Sequence, residues 1–238
     1  MNYLNLVLPT PGENLACDEA LLNLSEETGT EFLRIWEPMQ YFVVLGRGGC
    51  VKDEVNVEAC QTAGIPILRR ISGGGTVILG SGCLCYSLVL NQIERPGLAS
   101  IKATNDYVLG RLRAVLAGLT GRSIRQLGST DLVDGNLKVS GNSQKRCAWS
   151  LLFHGTVLLD FDLQLLPIYL TQPERQPEYR ERRSHINFVR NLNLPAADVK
   201  TALREVWNAV PGDTPDLHSS IAKLVDSRYG KEEWNHAR

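Results

Sequence analysis

The chain carries almost no imbalance of charge: 25 Lys and Arg stand against 26 Asp and Glu, a formal net of −1. That removes any global attraction toward nucleic acid or an anionic membrane surface, so a polyanion would have to be held locally. Long apolar runs are missing as well. Stretches such as residues 42–45 and 157–159 are far too short to span a bilayer, and Met1-Asn2-Tyr3-Leu4-Asn5 has no basic leader followed by an apolar segment. The six cysteines, at positions 17, 50, 60, 83, 85 and 147, lack paired metal-finger spacings, and Cys83-Leu84-Cys85 is a lone C-x-C. Reduced thiols in a cytoplasmic protein, several of them buried as small hydrophobes, are the expectation. There is no internal repeat and no low-complexity segment.

What is present suits one domain over residues 1–238: 43% of residues are hydrophobic and 21% charged, enough for a sizeable core. Asn14 is the expected N-cap of a helix reaching about Leu24. Residues 32–36 and 41–45 read as strands around Glu37-Pro38, and residues 55–63 as a helix stopped by Gly64. Strands are expected at 65–70, 84–90 and 151–161. The strongest helix is 101–119, where Ile101, Val108, Leu109, Leu112, Val115, Leu116 and Leu119 fit a 3.6-residue period and Gly121 follows. Asp134-Gly135 predicts a hairpin over 132–139. Further helices are expected around 163–170, 196–210 and 217–229, with a Pro- and Arg-rich loop at 172–183. This mixture predicts an α/β protein of the α+β type, a mixed β-sheet with flanking helices.

Two segments carry most of the chemistry. Arg69-Arg70-Ile71-Ser72-Gly73-Gly74-Gly75-Thr76-Val77 sets two cations beside three consecutive glycines. Glycine allows close approach of backbone amides to an anion, and guanidinium forks match carboxylate and phosphate oxygens. No Lys-Ser or Lys-Thr follows, which excludes a P-loop. No G-x-G-x-x-G precedes a helix, since Thr76-Val77-Ile78-Leu79 favours a strand, and this argues against a dinucleotide fold. By itself the loop also reads as a tight connection with incidental arginines. The second segment, Asn136-Leu137-Lys138-Val139-Ser140-Gly141-Asn142-Ser143-Gln144, offers a lysine beside a Ser-Gly turn. Lys138 there can neutralise charge growing on an acyl carbonyl or phosphate, or be a solvated strand-end residue. Phe153-His154-Gly155-Thr156 adds a histidine that either walls the same pocket or is an ordinary satisfied polar group.

Taken in order, these three motifs resemble the lipoate–protein ligase family, related to the biotin ligases and the octanoyltransferases. Leu15-Ala16-Cys17-Asp18-Glu19-Ala20-Leu21-Leu22, Trp36 and Leu45-Gly46-Arg47 agree with the family's usual order, and the similarity covers roughly residues 10–165. The resemblance implies a catalytic domain with an acyl-binding tunnel, which activates lipoate or octanoate with ATP as an acyl-adenylate. The acyl group then passes to a lysine of a lipoyl carrier domain, of the 2-oxoacid dehydrogenase acyltransferase subunit or a glycine cleavage H-type protein. Mg²⁺ would accompany the ATP. Carried over by motif, Arg70, Ser72, Gly73, Gly74, Gly75, Thr76 and Val77 would hold the adenylate. Lys138, with Ser140 and Gly141, would contact the carboxylate or acyl-phosphate oxygens as the catalytic group. His154, Gly155 and Thr156 would line the acyl pocket.

Two departures modify this. Leu79-Gly80 stands where many ligases have His-Asp, and little chain remains for the family's C-terminal accessory domain, so a separate accessory subunit is expected. An octanoyltransferase would need a thioester-forming cysteine. Leu151 occupies one of its usual places, and residues 127–132 contain none. Cys147, after Lys145 and Arg146, is the one alternative nucleophile, its neighbours favouring a thiolate; otherwise it is an incidental loop thiol. A non-catalytic lipoyl-binding protein is the remaining reading.

Overall fold

The computed structural model describes residues 1–93 and 95–237. In chain order its strands are β1 (Asn2–Asn5), β2 (Phe32–Trp36), β3 (Phe42–Leu45), β4 (Ile67–Arg69), β5 (Val77–Leu79), β6 (Cys83–Asn91), β7 (Ile124–Leu127), β8 (Asp131–Asp134), β9 (Leu137–Arg146), β10 (Ser150–Leu158) and β11 (Val210–Pro211). The helices are α1 (Pro11–Thr28), α2 (Val51–Glu54), α3 (Val57–Ala63), α4 (Ile101–Thr120), α5 (Leu165–Tyr169), α6 (Ala196–Val206), α7 (His218–Leu224) and α8 (Glu232–Asn235).

The main sheet runs β11-β1-β2-β6-β10-β9-β8-β7, and a small sheet runs β4-β3-β5. Both are mixed. Strand β1 is parallel to β2 and β11, the remaining main-sheet pairs are antiparallel, and β3 is parallel to β4 but antiparallel to β5. The expected α/β class with a mixed sheet and flanking helices is what the chain adopts.

Both faces of the main sheet are covered, so β2 and β6 are buried at every position. Phe32, Trp36, Cys85, Val89 and Leu152 join a core with α1 and the small sheet. Leu33, Ile35, Tyr86, Leu88, Leu151 and Phe153 join a second core with α4 and α6. Three polar residues interrupt the first face in one row: Arg34 pairs with Ser87, and Ser87 with His154, across β2, β6 and β10.

Several boundaries differ from the sequence reading. Helix α1 begins at Pro11 behind Thr10, whose side chain forms a reciprocal capping box with Glu13. Asn14 is therefore inside the helix; its Oδ1 accepts from Leu8 N and Arg34 Nη2, and its Nδ2 donates to the Leu8 and Thr10 carbonyls. The helix expected over 55–63 begins only at Val57, behind the Asn56 cap, because Val55 is extended and bridges Leu170; a separate short helix, α2, precedes it. The strand expected over 151–161 ends at Leu158. The helix expected over 196–210 stops at Val206, and Val210–Pro211 pairs with β1 instead. Beyond Leu224 the helix over 217–229 becomes a single π turn, Val225–Tyr229.

Helix α8 matters for the site although it is short. Arg69, with no solvent exposure, donates to the carbonyls of Gly46, Gly49, Trp234 and Asn235. Its amide donates to Asn235 Oδ1, and Trp234 Nε1 donates back to its carbonyl. The strand feeding the glycine loop is thus tied to the C-terminal segment.

Candidate active site

A cavity of about 510 Å³ opens between the α1 face of the main sheet, the small sheet and the segment after α5. One part of its wall is apolar, with Leu15, Trp36, Val77, Leu79, Phe161 and Leu166. The lining also carries polar side chains, among them Thr76, Lys138, Asn142, Ser143, Arg175 and Arg180. Such a shape accepts an apolar chain ending in an anionic group.

The glycine loop is organised by Arg70. Burial lowers its pKa to about 10, with nearby Glu54 acting against that. Its Nη2 donates to the carbonyls of Gly73 (2.5 Å) and Gly75 (2.9 Å), its Nη1 to Val44, and its Nε to Ser72 Oγ. In a trans peptide the C=O and the following N–H point in opposite directions. Turning these two carbonyls onto Arg70 therefore sends the amides of Gly74 and Thr76 away from it, as donors an anion can use. Gly74 has φ +87°, a left-handed conformation that a side chain would strain. Arg70 thus shapes the loop from within, through three backbone carbonyls and the Ser72 hydroxyl, while bordering the cavity. The hydroxyl of Thr76 donates to Glu54 Oε2 at 2.6 Å, and Ser143 Oγ donates to the Gly73 carbonyl at 2.9 Å.

Lys138 stands at the start of β9, with its Nζ 2.7 Å from Asp131 Oδ1 across the β8–β9 hairpin. Its side chain is 25% exposed and borders the cavity. Asp131 also accepts from the Tyr179 hydroxyl at 2.7 Å. The backbone of Lys138 pairs with residues of the following segment, its N–H donating to Phe188 and its carbonyl accepting from Arg190.

His154 lies beneath the glycine loop. Its Nε2 is 2.5 Å from Ser72 Oγ and its Nδ1 is 3.2 Å from Asp18 Oδ2. Asp18, buried on α1, also accepts from Ser87 Oγ (2.7 Å) and pairs with Arg34 (2.7 Å). Its burial opposes ionisation, yet its pKa is lowered by His154, Arg34 and Ser87 together. It therefore stays a carboxylate.

Of the residues expected from sequence, Arg70, Gly74, Gly75, Thr76, Val77, Lys138, Ser140, Gly141, His154, Gly155 and Thr156 all border the cavity. Ser72 and Gly73 lie behind it and join through His154, Arg70 and Ser143. Cys147 does not border it. Its thiol pKa is raised by burial first and Glu26 next, and Lys145 does not reverse this. The expectation that adjacent cations favour a thiolate is corrected. Cys85 does line the cavity, but burial pushes its thiol well above the ordinary range. All six cysteines are free. At the His-Asp place of many ligases, the Tyr41 ring covers Gly80, where a Cβ would lie 2.0 Å from a ring carbon.

The sequence reading missed Asp18, Arg34, Ser87, Glu54, Asp131, Arg175, Arg180 and His185. A signal existed for two of them: Asp18 and Arg34 are charges set inside apolar segments, Leu-Ala-Cys-Asp and Phe-Leu-Arg-Ile-Trp. A buried charge in such a place needs a partner. His185, with Nε2 3.0 Å from the Thr171 carbonyl, has its pKa lowered by burial. Among the described residues no cluster of three or more His, Cys, Asp or Glu could hold a metal ion, and no helix is long and apolar enough to cross a membrane.

Comparison with known proteins gives this geometry its class. Residues 10–208 match the model of the lipoyl protein ligase A/B catalytic domain, and the chain belongs to that family of lipoate–protein ligases and octanoyltransferases, which are enzymes. It is 28% identical over 254 residues to lipoate-protein ligase A subunit 1 of Thermoplasma acidophilum, covering 97% of this chain and 95% of the relative. It is 25% identical over 260 residues to octanoyltransferase LipM of Clostridioides difficile, covering 94% of each. The fold is shared with the bi-partite lipoate protein ligase of Thermoplasma acidophilum at a TM-score of 0.85 and 24% identity, over 99% of this chain and 95% of that one. A lipoate-protein ligase A bound with ATP superposes at 0.81 and 23% identity, over 99% and 98%.

Proposed function

We propose that this enzyme activates lipoate or octanoate with ATP to an acyl-adenylate and transfers the acyl group to a lysine of a lipoyl carrier domain. The observation that carries this reading is one cavity joining an apolar wall to the glycine loop and Lys138, with no activated thiol on its surface. The acyl chain would occupy the Trp36–Phe161 side and the carboxylate would face the loop amides and Lys138. Arg175 and Arg180 would add charge for the phosphates. As negative charge grows on the acyl-phosphate oxygens, the Lys138 ammonium would stabilise it, held in place by Asp131.

Mg²⁺ suits this site as the nucleotide's ion. Phosphate oxygens would hold it in the main, and Glu54 and Asp131, the cavity carboxylates not enclosed beneath the loop, would supply any protein oxygen by exchanging a contact to Thr76 or Lys138. When bound it would neutralise phosphate charge. One Thermoplasma relative is a lipoate-protein ligase A subunit, and a bi-partite Thermoplasma ligase with its E2 lipoyl domain shares the fold; both support a second chain and a carrier domain as partners here.

The test is incubation with lipoate or octanoate, MgATP and an apo lipoyl domain, with and without a candidate accessory chain, followed by mass spectrometry of the carrier. The carrier should gain one acyl mass only when ATP is present. Absence of both adenylate and modified carrier would end this reading. The similarity to an octanoyltransferase over 94% of each chain favours one alternative, ATP-independent transfer from an acyl thioester. Its mark is a hydroxylamine-labile acyl-enzyme formed without ATP.

A further inference from the structure

Four elements distant in sequence meet beneath the glycine loop in one unbroken chain of polar contacts. Arg34 of β2, without solvent exposure, donates to Asp18 Oδ1 and to the Asn14 carbonyl. Asp18 Oδ2 faces both Ser87 Oγ of β6 and His154 Nδ1 of β10. His154 Nε2 meets Ser72 Oγ, and Ser72 Oγ in turn accepts from Arg70 Nε at 3.1 Å. Strand register makes this possible by setting Arg34, Ser87 and His154 side by side across three strands, directly beneath Asp18.

The proton positions follow from the donors available. An ionised carboxylate only accepts, so the ring nitrogen facing Asp18 carries the hydrogen. In the neutral imidazole Nε2 is then an acceptor, and Ser72 donates to it. This is the tautomer logic of an Asp-His-Ser relay. Ser72, however, is only 1% exposed and lies behind the cavity wall, so here the relay ends on a hydroxyl that anchors a loop.

We propose that Asp18 is the positioning residue of the acid-binding site: by fixing the tautomer of His154 it makes Ser72 a donor and fastens the glycine loop to the wall of the acyl cavity before the acid arrives. The proposal rests on the functional reading above for the identity of the acid. Preset donors bind more tightly than donors that must first be ordered. Arg34 completes the device by keeping Asp18 ionised in a place where burial alone would neutralise it. Neither Asp18 nor Arg34 needs to touch the reacting atoms.

The experiment uses the full chain. Long-range ¹H–¹⁵N spectra of histidine-labelled protein without ligand should show His154 with its hydrogen on Nδ1. Ser72→Ala should keep that tautomer, and Asp18→Asn should shift the ring toward Nε2–H. In both variants the loop amides of residues 73–77 should exchange faster with solvent, and the Kd for octanoate should rise roughly tenfold or more, the scale of one hydrogen bond to a charged or strongly polarised partner. Because the relay acts as a unit, the double variant should bind no worse than the weaker single one. An Nε2–H tautomer in the wild type, unchanged loop exchange, or additive losses would overturn the proposal. Should Asp18→Asn fail to fold, the Ser72→Ala and His154→Gln cycle carries the same comparison. If the wild-type chain binds neither octanoate nor lipoate, the functional reading falls, while tautomer and loop exchange in the ligand-free chain still decide the relay.

Discussion

Lys138 and Asp131 face one another across the β8–β9 hairpin at 2.7 Å, and both border the cavity. The pairing gives the lysine a fixed place, since Asp131 is itself held by the Tyr179 hydroxyl.

Lys138→Ala should leave the melting transition almost where it is, because partly exposed ion pairs contribute only about 0–1 kcal/mol. Acyl transfer should fall by about 10²–10³-fold, the scale of losing one donor that stabilises developing charge. Lys138→Arg should rescue poorly, since a planar fork does not put its charge where a compact ammonium does. Near-normal turnover by folded Lys138→Ala would remove the lysine from the chemistry. Single-turnover kinetics with a carrier domain make the measurement.

Arg70→Lys should cost more than its charge conservation suggests. One ammonium cannot reach Val44, Ser72, Gly73 and Gly75 together as the guanidinium does. The expected result is a rise in KM for the acid with a modest loss of stability, about 1–3 kcal/mol for buried acceptors left unpaired. Denaturant unfolding and steady-state kinetics would separate the two.

Cys147→Ser should retain full acyl transfer, and no hydroxylamine-labile adduct should form on the wild-type residue. Its thiol is raised in pKa and lies off the cavity. Cys17 and Cys83, pushed up to about 11 and about 12 by burial, should resist thiol reagents in the folded state at pH 8. Rapid native-state labelling of Cys83 would contradict its burial.

Asp18 sets an acid limit on stability. Its carboxyl is held below the usual value in the folded chain. The stabilisation is therefore fully present above the unfolded pKa of about 3.9 and is lost as pH falls through the folded one. Removing one partner of a buried pair costs about 3–5 kcal/mol, so Arg34→Met should lose that much at pH 7. The gap from wild type should shrink at strongly acidic pH. Urea titrations across that range would show it; a gap independent of pH would refute the assignment.

Asn235→Ala should weaken a remote part of the site. Asn235 is buried, and its Oδ1 accepts the amide of Arg69, one residue before Arg70. A loss of about 1–3 kcal/mol is expected from the unpaired amide. Transfer activity should fall in step with faster exchange of the loop amides. Unchanged stability would mean that the C-terminal segment does not hold β4.

The sequence by itself determined the elements whose cues are local, together with the family motifs. The 3.6-residue spacing and Gly121 delimit α4, Asp134-Gly135 turns β8 into β9, and the Ser-Gly-Gly-Gly and Lys-Val-Ser-Gly segments single out residues that line one cavity. Only the tertiary structure decided what those residues do to one another. Arg69 and Arg70 look alike as neighbours in sequence, yet strand alternation sends them to opposite duties, one binding the C-terminal helix and the other shaping the glycine loop. Asp18 and Arg34 show in the sequence as charges inside apolar segments that need partners, but that they partner one another is set only by the packing of α1 on β2. The relay from Arg34 to Ser72 depends on the register of β2, β6 and β10, a long-range pairing that no local spacing encodes.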